Sequence, residues 1–300
     1  MIKDRSKLTT EKRNARSRGI DRLSTLGIID VLNREDARVA VAVARQRRAI
    51  ARAVDVIVER FRRGGRLFYV GAGTSGRLGV LDASECPPTY GTPPAMVQGI
   101  IAGGRRALVR SIEGAEDREE DGAAALRRKR VRAADTVVGI AACGITPFVR
   151  GAVREAQRVG AATIFVTCAP EARRHIGARI IISPVVGPEV VTGSTRMKAG
   201  TATKLVLNML TTAAMIRLGK VHDNLMVDLR ATNAKLRDRS QRIVMEVTGV
   251  RRPRAKALLK QARGWAKVAI LMHFRKVDFE GAERLLDKCG GSLRAAIAHR

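Results

Sequence analysis

Aromatic side chains are nearly missing from this chain: one Trp, two Tyr and six Phe make up 3% of 300 residues. That leaves few stacking platforms for single-stranded nucleic acid, and no zinc-finger, basic-zipper or ribonucleoprotein pattern is present. The cysteines at 86, 143, 168 and 289 are scattered without a Cys-x-x-Cys pair, and the histidines at 175, 222, 273 and 299 are equally dispersed. Neither a disulfide framework nor a metal site is supported, so buried reduced thiols are the reading. No run of eighteen apolar residues occurs, and residues 1–18 are polar and basic with no apolar leader segment. A soluble, cytoplasmic chain without a membrane partner is expected. Acidic residues are scarce, 28 against 57 Lys and Arg, and the net charge of +29 would attract any polyanion. The basic residues are nevertheless spread over many segments, as in Arg45-Gln46-Arg47-Arg48, Arg127-Arg128-Lys129-Arg130 and Arg251-Arg252. Solvated helix faces account for them better than a nucleic-acid surface.

What is present is concentrated in Leu67-Phe68-Tyr69-Val70-Gly71-Ala72-Gly73-Thr74-Ser75-Gly76 and its continuation to Glu85-Cys86-Pro87-Pro88. A short apolar run stops at a glycine-rich turn with two hydroxyls, a helical segment follows, and the double proline is expected to end it. Such a turn presents backbone N–H groups and a helix N-terminus to an anion. The spacing also fits the dinucleotide fingerprint, but that fold needs an acidic residue after the second strand. The next strand-like run, Met96 to Ala102, ends in Gly103-Gly104-Arg105-Arg106. Thr74 and Ser75 suit a compact phosphate better than a pyrophosphate.

Apolar residues at 39, 43, 50, 54, 57, 58 and 61 predict one long amphipathic helix from Asn33 to Arg63, closed by Gly64-Gly65. After the opening loop, strands near 97–102, 136–142, 163–168 and 179–183 alternate with helices at about 117–130 and up to Val159. That alternation predicts a parallel sheet covered on both faces, with ligands at the carboxyl ends of its strands. The loops at 71–76 and 142–147 both fall there. Met197 to Leu218 reads as a long buried helix, Asn224 to Thr248 as another, and the residues beyond Pro253 as three or four short helices.

Three loops bearing Gly and hydroxyls could converge on one phosphate: Gly73-Thr74-Ser75-Gly76, Gly144 with Thr146, and Gly193-Ser194-Thr195 ahead of a helix with Lys198 and Lys204. Each alone could equally be a turn or a helix cap. Two carboxylates accompany them. Glu116 lies at a loop-to-helix junction, where the helix dipole by itself favours an acid. Glu85 stands before the prolines, where a negative charge opposes the dipole and calls for another reason.

These segments closely resemble the N-acetylmuramic acid 6-phosphate etherase family of the sugar isomerase (SIS) superfamily. The likeness runs through Leu8-Thr9-Thr10-Glu11-Lys12-Arg13-Asn14, Arg22-Leu23-Ser24-Thr25-Leu26, residues 71–91, Gly187-Pro188-Glu189-Val190, residues 192–208, Asn224-Leu225-Met226-Val227-Asp228-Leu229, Asn233-Ala234-Lys235-Leu236 and Gly290-Gly291-Ser292-Leu293-Arg294. It implies an α/β fold: a SIS-type parallel sheet sandwiched by helices, with a helical N-terminal segment (1–64), the sugar-phosphate-binding domain (65–250) and a small C-terminal helical bundle (251–300). It also implies a cofactor-independent homodimer that cleaves the lactyl ether of N-acetylmuramate 6-phosphate. Glu85 matches the family's catalytic acid and Glu116 its second catalytic glutamate. One should be held protonated and one ionised by apolar surroundings against a helix end.

The chain departs from the resemblance at three places. The family's loop commonly reads Ala-Ser-Gly-Arg-Thr-Pro, and here it is Ala142-Cys143-Gly144-Ile145-Thr146-Pro147. A thiol is a weaker donor than a hydroxyl, and isoleucine offers nothing to an anion. Ala95 stands where a glutamate is common, and His222-Asp223 where Tyr-Gly is usual. The altered loop would suit a non-catalytic sugar-phosphate sensor, whereas the presence of both glutamates argues for an enzyme. A nucleic-acid-binding regulator would need an added helix-turn-helix domain, for which the residues before Gly64 leave little room.

Overall fold

The computed structural model describes residues 4–229 and 233–299, which fall into two compact units. One takes in 4–84 and 95–211, and the other 85–94 and 212–299 without 230–232. Residues 1–3 of the basic N-terminal stretch, and 230–232 within the helix expected from Asn224, lie outside the described residues.

The first unit is built on five parallel strands, β1 (Leu67–Gly71), β2 (Val97–Ile101), β3 (Thr136–Ile140), β4 (Ala162–Val166) and β5 (Ile180–Ile182), in the order β2-β1-β3-β4-β5. β1, β3 and β4 are buried along their whole length, as strands covered on both faces must be. Phe68, Val70, Val137 and Phe165 share a core with α5 (Glu119–Arg128) and α6 (Pro147–Arg158). The alternate residues Tyr69 and Ile140 face α4 (Gly73–Tyr90), against its Gly79. This is the α/β, SIS-type sheet sandwiched by helices that the sequence predicts. Among the described residues, no helix is long and apolar enough to cross a membrane.

The N-terminal part differs from the single helix expected over 33–63. There are three helices: α1 (Thr25–Asp36), started by Ser24 Oγ accepting from the Gly27 N–H at 3.2 Å, α2 (Val39–Ala44) and α3 (Arg47–Arg62). At both joints the chain keeps near-helical dihedrals while its bonding tightens by one residue, with Arg38 N–H on Glu35 O and Gln46 N–H on Val43 O. The apolar spacing therefore runs on through both breaks, and no Gly or Pro marks them. Val39, Val43, Ile50, Val54, Ile57, Val58 and Phe61 are all buried, as their spacing requires.

The double proline does not end α4, which continues through Pro87 and Pro88 to Tyr90. Only the donors owed to two carbonyls one turn back are lost. The Gly91 N–H still closes on Pro87 O at 2.9 Å. The helix Lys198–Arg217, α7, follows the expectation in length, although Met209 and Ile216 are exposed and only part of its surface is buried.

In the second unit, α8 (Ala234–Thr248) starts ten residues later than expected. His222 and Leu225 instead exchange backbone hydrogen bonds across a tight turn in which Asp223 takes φ +54°, a conformation no helix contains. Val227 and Leu229 then enter a core shared with α8, α9 (Arg252–Gln261), α10 (Ala266–Arg275), α11 (Phe279–Lys288) and α12 (Leu293–Ala298). Four short helices thus follow residue 251. Within this bundle Lys267 is buried and bonds to Asp228 Oδ2 at 2.7 Å and Gly291 O at 2.9 Å.

Candidate active site

The turn between β1 and α4 is tight enough to dictate its glycines. A Cβ on Gly76 would fall 2.5 Å from Ile101 Cγ1 and 2.8 Å from Gly71 O, and one on Gly71 would fall 2.6 Å from Gly76 N. Neither position accepts a side chain without moving backbone. Gly73 opens α4 with φ +50°, and Thr74 and Ser75 follow in its first turn. β3 lies beside β1 with Ile140 opposite Gly71, so the 142–147 loop leaves the sheet next to the first one. Ala142 O accepts from Thr167 Oγ1 at 3.0 Å and from Cys168 N at 2.9 Å, which pins that loop to the strand beyond. Gly144 has φ +74°, and Thr146 precedes α6 without a side-chain capping bond. Cys143 and Ile145 turn toward the core and pack on it, so the altered residues serve as packing groups.

Glu116 is tied to this second loop through its backbone: its carbonyl accepts from Phe148 N at 3.0 Å, two residues past Thr146. The third loop joins from α7. The site of a Cβ on Gly200 lies 3.6 Å from both Thr195 O and Thr74 Cγ2, so Thr195 and Thr74 flank one point. The first unit therefore brings Thr195 beside Thr74, and it sets the loop of Gly144 and Thr146, tied to the backbone of Glu116, after the strand next to the one that leads into Gly73 to Gly76. The hydroxyls of Thr74, Ser75, Thr146, Ser194 and Thr195 make no hydrogen bond within the protein among the described residues. Glu85 stands three helical turns beyond Thr74 on α4. The side chains of Glu85 and Glu116 are both exposed, in place of the apolar surroundings expected around them.

Lys198 goes elsewhere. Its side chain is 1% exposed, and its ammonium is paired with Glu35, itself 3% exposed. Asn14 Nδ2 donates to the same carboxylate at 2.8 Å, and Arg16 approaches it at 3.4 Å. Burial alone would raise the Glu35 pKa, but hydrogen bonds from Lys198 and Asn14, with the charges of Lys198 and Arg16, hold it below its ordinary value. The first N–H groups of α7 are likewise occupied. Glu189 accepts from Lys198 N at 3.1 Å and from Ala199 N at 2.9 Å, capping the helix from a distant loop. Burial pushes the Glu189 pKa up despite those bonds. Close by, burial and the Glu189 charge push the Cys168 thiol up to about 12. An anion reaching this loop meets hydroxyls and loop backbone, while the lysine and the helix start are already engaged.

Sequence reasoning passed over three supporting acids. Glu35 and Glu189 hold the start of α7, and Asp82 on α4 accepts from Tyr69 Oη at 2.9 Å and Thr211 Oγ1 at 3.2 Å. Burial raises the Asp82 pKa, against those two bonds and the nearby Lys204 charge. Asp82 lies within the resembling 71–91 segment and Glu189 within the Gly187-Pro188-Glu189-Val190 run. The N-terminal stretch is stitched to that run, through Asn14 Nδ2 on Pro188 O at 3.2 Å and Ser17 Oγ on Val190 O at 2.8 Å.

Comparison with known proteins places the chain. Residues 49–157 match the glucokinase regulatory protein N-terminal SIS domain. The N-acetylmuramic acid 6-phosphate etherase of Nostoc sp. (strain PCC 7120) is 51% identical over 99% of this chain and 97% of its own length. That of Salinibacter ruber is 55% identical over 97% of this chain and 94% of its own. Among solved structures, a phosphoheptose isomerase from Francisella tularensis superposes with a TM-score of 0.46 at 15% identity, over 63% of this chain and all of that one. With such identity over nearly its full length, the chain belongs to the N-acetylmuramic acid 6-phosphate etherase family.

Proposed function

We propose that the chain is a carbon–oxygen lyase that converts N-acetylmuramate 6-phosphate and water into N-acetylglucosamine 6-phosphate and D-lactate in cell-wall amino-sugar recycling. The observation that carries this reading is the 51–55% identity to relatives named for that etherase, in a chain that holds Glu85, Glu116 and three adjoining hydroxyl loops. In the open-chain sugar the C2 proton is acidic because it lies α to the C1 aldehyde, and the lactyl oxygen on C3 lies β to it. Glu116 takes the C2 proton, the C2–C3 double bond forms, and the C3–O bond breaks as Glu85 protonates the departing lactate. Water then adds at C3 with the roles reversed, and C2 regains a proton. Elimination and hydration take place on the same face of the sugar.

The phosphate is held by the hydroxyls of Thr74, Ser75, Thr146, Ser194 and Thr195 and by the backbone at Gly73, Gly76 and Gly144, far from the bond that breaks. Its binding energy is used to orient the reacting carbons. Lys198 contributes by fixing the start of α7 through Glu35. The enzyme works as a cytoplasmic homodimer without a cofactor.

The test is release of D-lactate from N-acetylmuramate 6-phosphate by the purified protein. Glu85→Gln and Glu116→Gln are each expected to lower kcat by about 10²–10⁴, the usual worth of a general acid or base. No lactate from the wild type sinks the reading. Full activity in Glu85→Gln leaves an etherase with a different acid.

A further inference from the structure

The first unit contains a cavity of about 520 Å³ that the reaction above does not use. Small-molecule sites are of this size. It is lined by segments far apart in sequence: residue 16, residues 35–45 around the α1–α2 joint, residues 185–188 and the first residue of α7. The buried Lys198–Glu35 pair forms one part of its wall, and Arg16, Arg38 and Arg45 form another.

The charge balance in this cavity is one-sided. Four cations line it against the single carboxylate of Glu35, so the lining carries +3. Glu35 already answers Lys198 and, more loosely, Arg16. Among the described residues, Arg38 and Arg45 form no ion pair. Both are exposed and stand seven residues apart across α2, yet both line the same hollow. A guanidinium presents a planar fork of donors that matches phosphate oxygens two at a time. Beside them, Val41 and Val185 line the hollow with 56% and 45% of their surface exposed, a ledge for a short carbon skeleton.

We propose that this cavity is a second anion site, which takes a small phosphorylated metabolite with its phosphate on Arg38 and Arg45 and its carbon part over Val41 and Val185. Arg16 closes the anion from the Glu35 side. The proposal does not depend on the etherase reading, because none of these residues belongs to the three hydroxyl loops.

The test uses inorganic phosphate as the probe, titrated calorimetrically into the full chain at constant ionic strength made up with chloride. The wild type is expected to show two classes of phosphate site. Arg38→Gln with Arg45→Gln is expected to weaken one class by at least about tenfold for each charge-assisted hydrogen bond removed. Thr74→Val with Ser75→Ala is expected to weaken only the other. Both arginines are exposed, so folding is not at risk, and circular dichroism verifies it. Glucose 6-phosphate binding more tightly than inorganic phosphate to the hydroxyl-loop variant supports the apolar ledge. Wild-type and arginine-variant isotherms that superimpose overturn the proposal, as does a single phosphate class that disappears with the hydroxyls. Lactate release by the arginine variant, expected at the wild-type KM, reports separately on the etherase.

Discussion

Lys198 and Glu35 lie 163 residues apart and form an ion pair that is closed to solvent on both sides. The pair joins the end of α1 to the start of α7, and Asn14 completes the carboxylate's hydrogen bonding. A lysine that reads in the sequence as a phosphate ligand is thus spent inside the protein. The local part of the anion site falls to side chains that carry no charge.

Removing one member of that pair strands the other. Glu35→Ala leaves a buried ammonium and is expected to cost about 3–5 kcal/mol, whereas Glu35→Leu combined with Lys198→Met restores most of the loss because an apolar pair of similar volume fits there. Urea unfolding of the two variants and the wild type measures it. A cost below about 1 kcal/mol for Glu35→Ala would mean the pair is open to water.

Acid should act on the same carboxylate. Its pKa in the fold lies below its unfolded value of about 4.3, so the stabilisation is complete above that pH and disappears as pH falls through the folded value. Glu189, with its pKa raised in the fold, works in the opposite sense and favours the folded chain as it gains its proton. Melting temperature against pH should therefore fall on the acid side, with a shallower fall in Glu35→Gln and a steeper one in Glu189→Gln. Identical acid limbs in all three proteins would refute the assignment.

Glu189→Ala takes away the acceptor of two α7 N–H groups. The expected loss is about 1–2 kcal/mol, at the upper end for a helix cap because the site is buried. Hydrogen exchange should accelerate at the amides of Lys198 and Ala199 before the rest of α7. Unchanged protection there would show that other groups cap the helix.

Gly76→Ala places a methyl group where Ile101 and the Gly71 carbonyl already stand. The Ile101 side chain can turn aside, but the Gly71 carbonyl is backbone, so relieving that contact moves the first loop itself. Lactate release is expected to drop by about 10²-fold, since misplacement by about 1 Å costs that much in an oriented site. An alanine variant with wild-type turnover would show that the turn is wider than described.

Much of this molecule was legible in the order of its residues. Strand and helix alternation predicts the parallel sheet, because strands buried on both faces must be continuously apolar and short. Each of the seven apolar positions chosen between 39 and 61 is buried. The helix boundaries were not legible, since the breaks near 37 and 46 use near-helical dihedrals and leave the period intact. Pro87 and Pro88 misled for the reverse reason: a local rule about donors gave way to a helix whose remaining bonds hold.

The sequence by itself determined the glycine turn at 71–76, the hydroxyls placed in it and the family, because those depend on local backbone geometry and on the order of residues. The tertiary structure alone decided where the charges go. Whether Lys198 meets a phosphate or Glu35, whether Glu189 caps a helix nine residues away, and whether Arg38 and Arg45 line one hollow all depend on long-range burial. A buried charge takes whichever partner the packing brings within reach, and nothing in the linear spacing of residues 35, 189 and 198 announces that meeting.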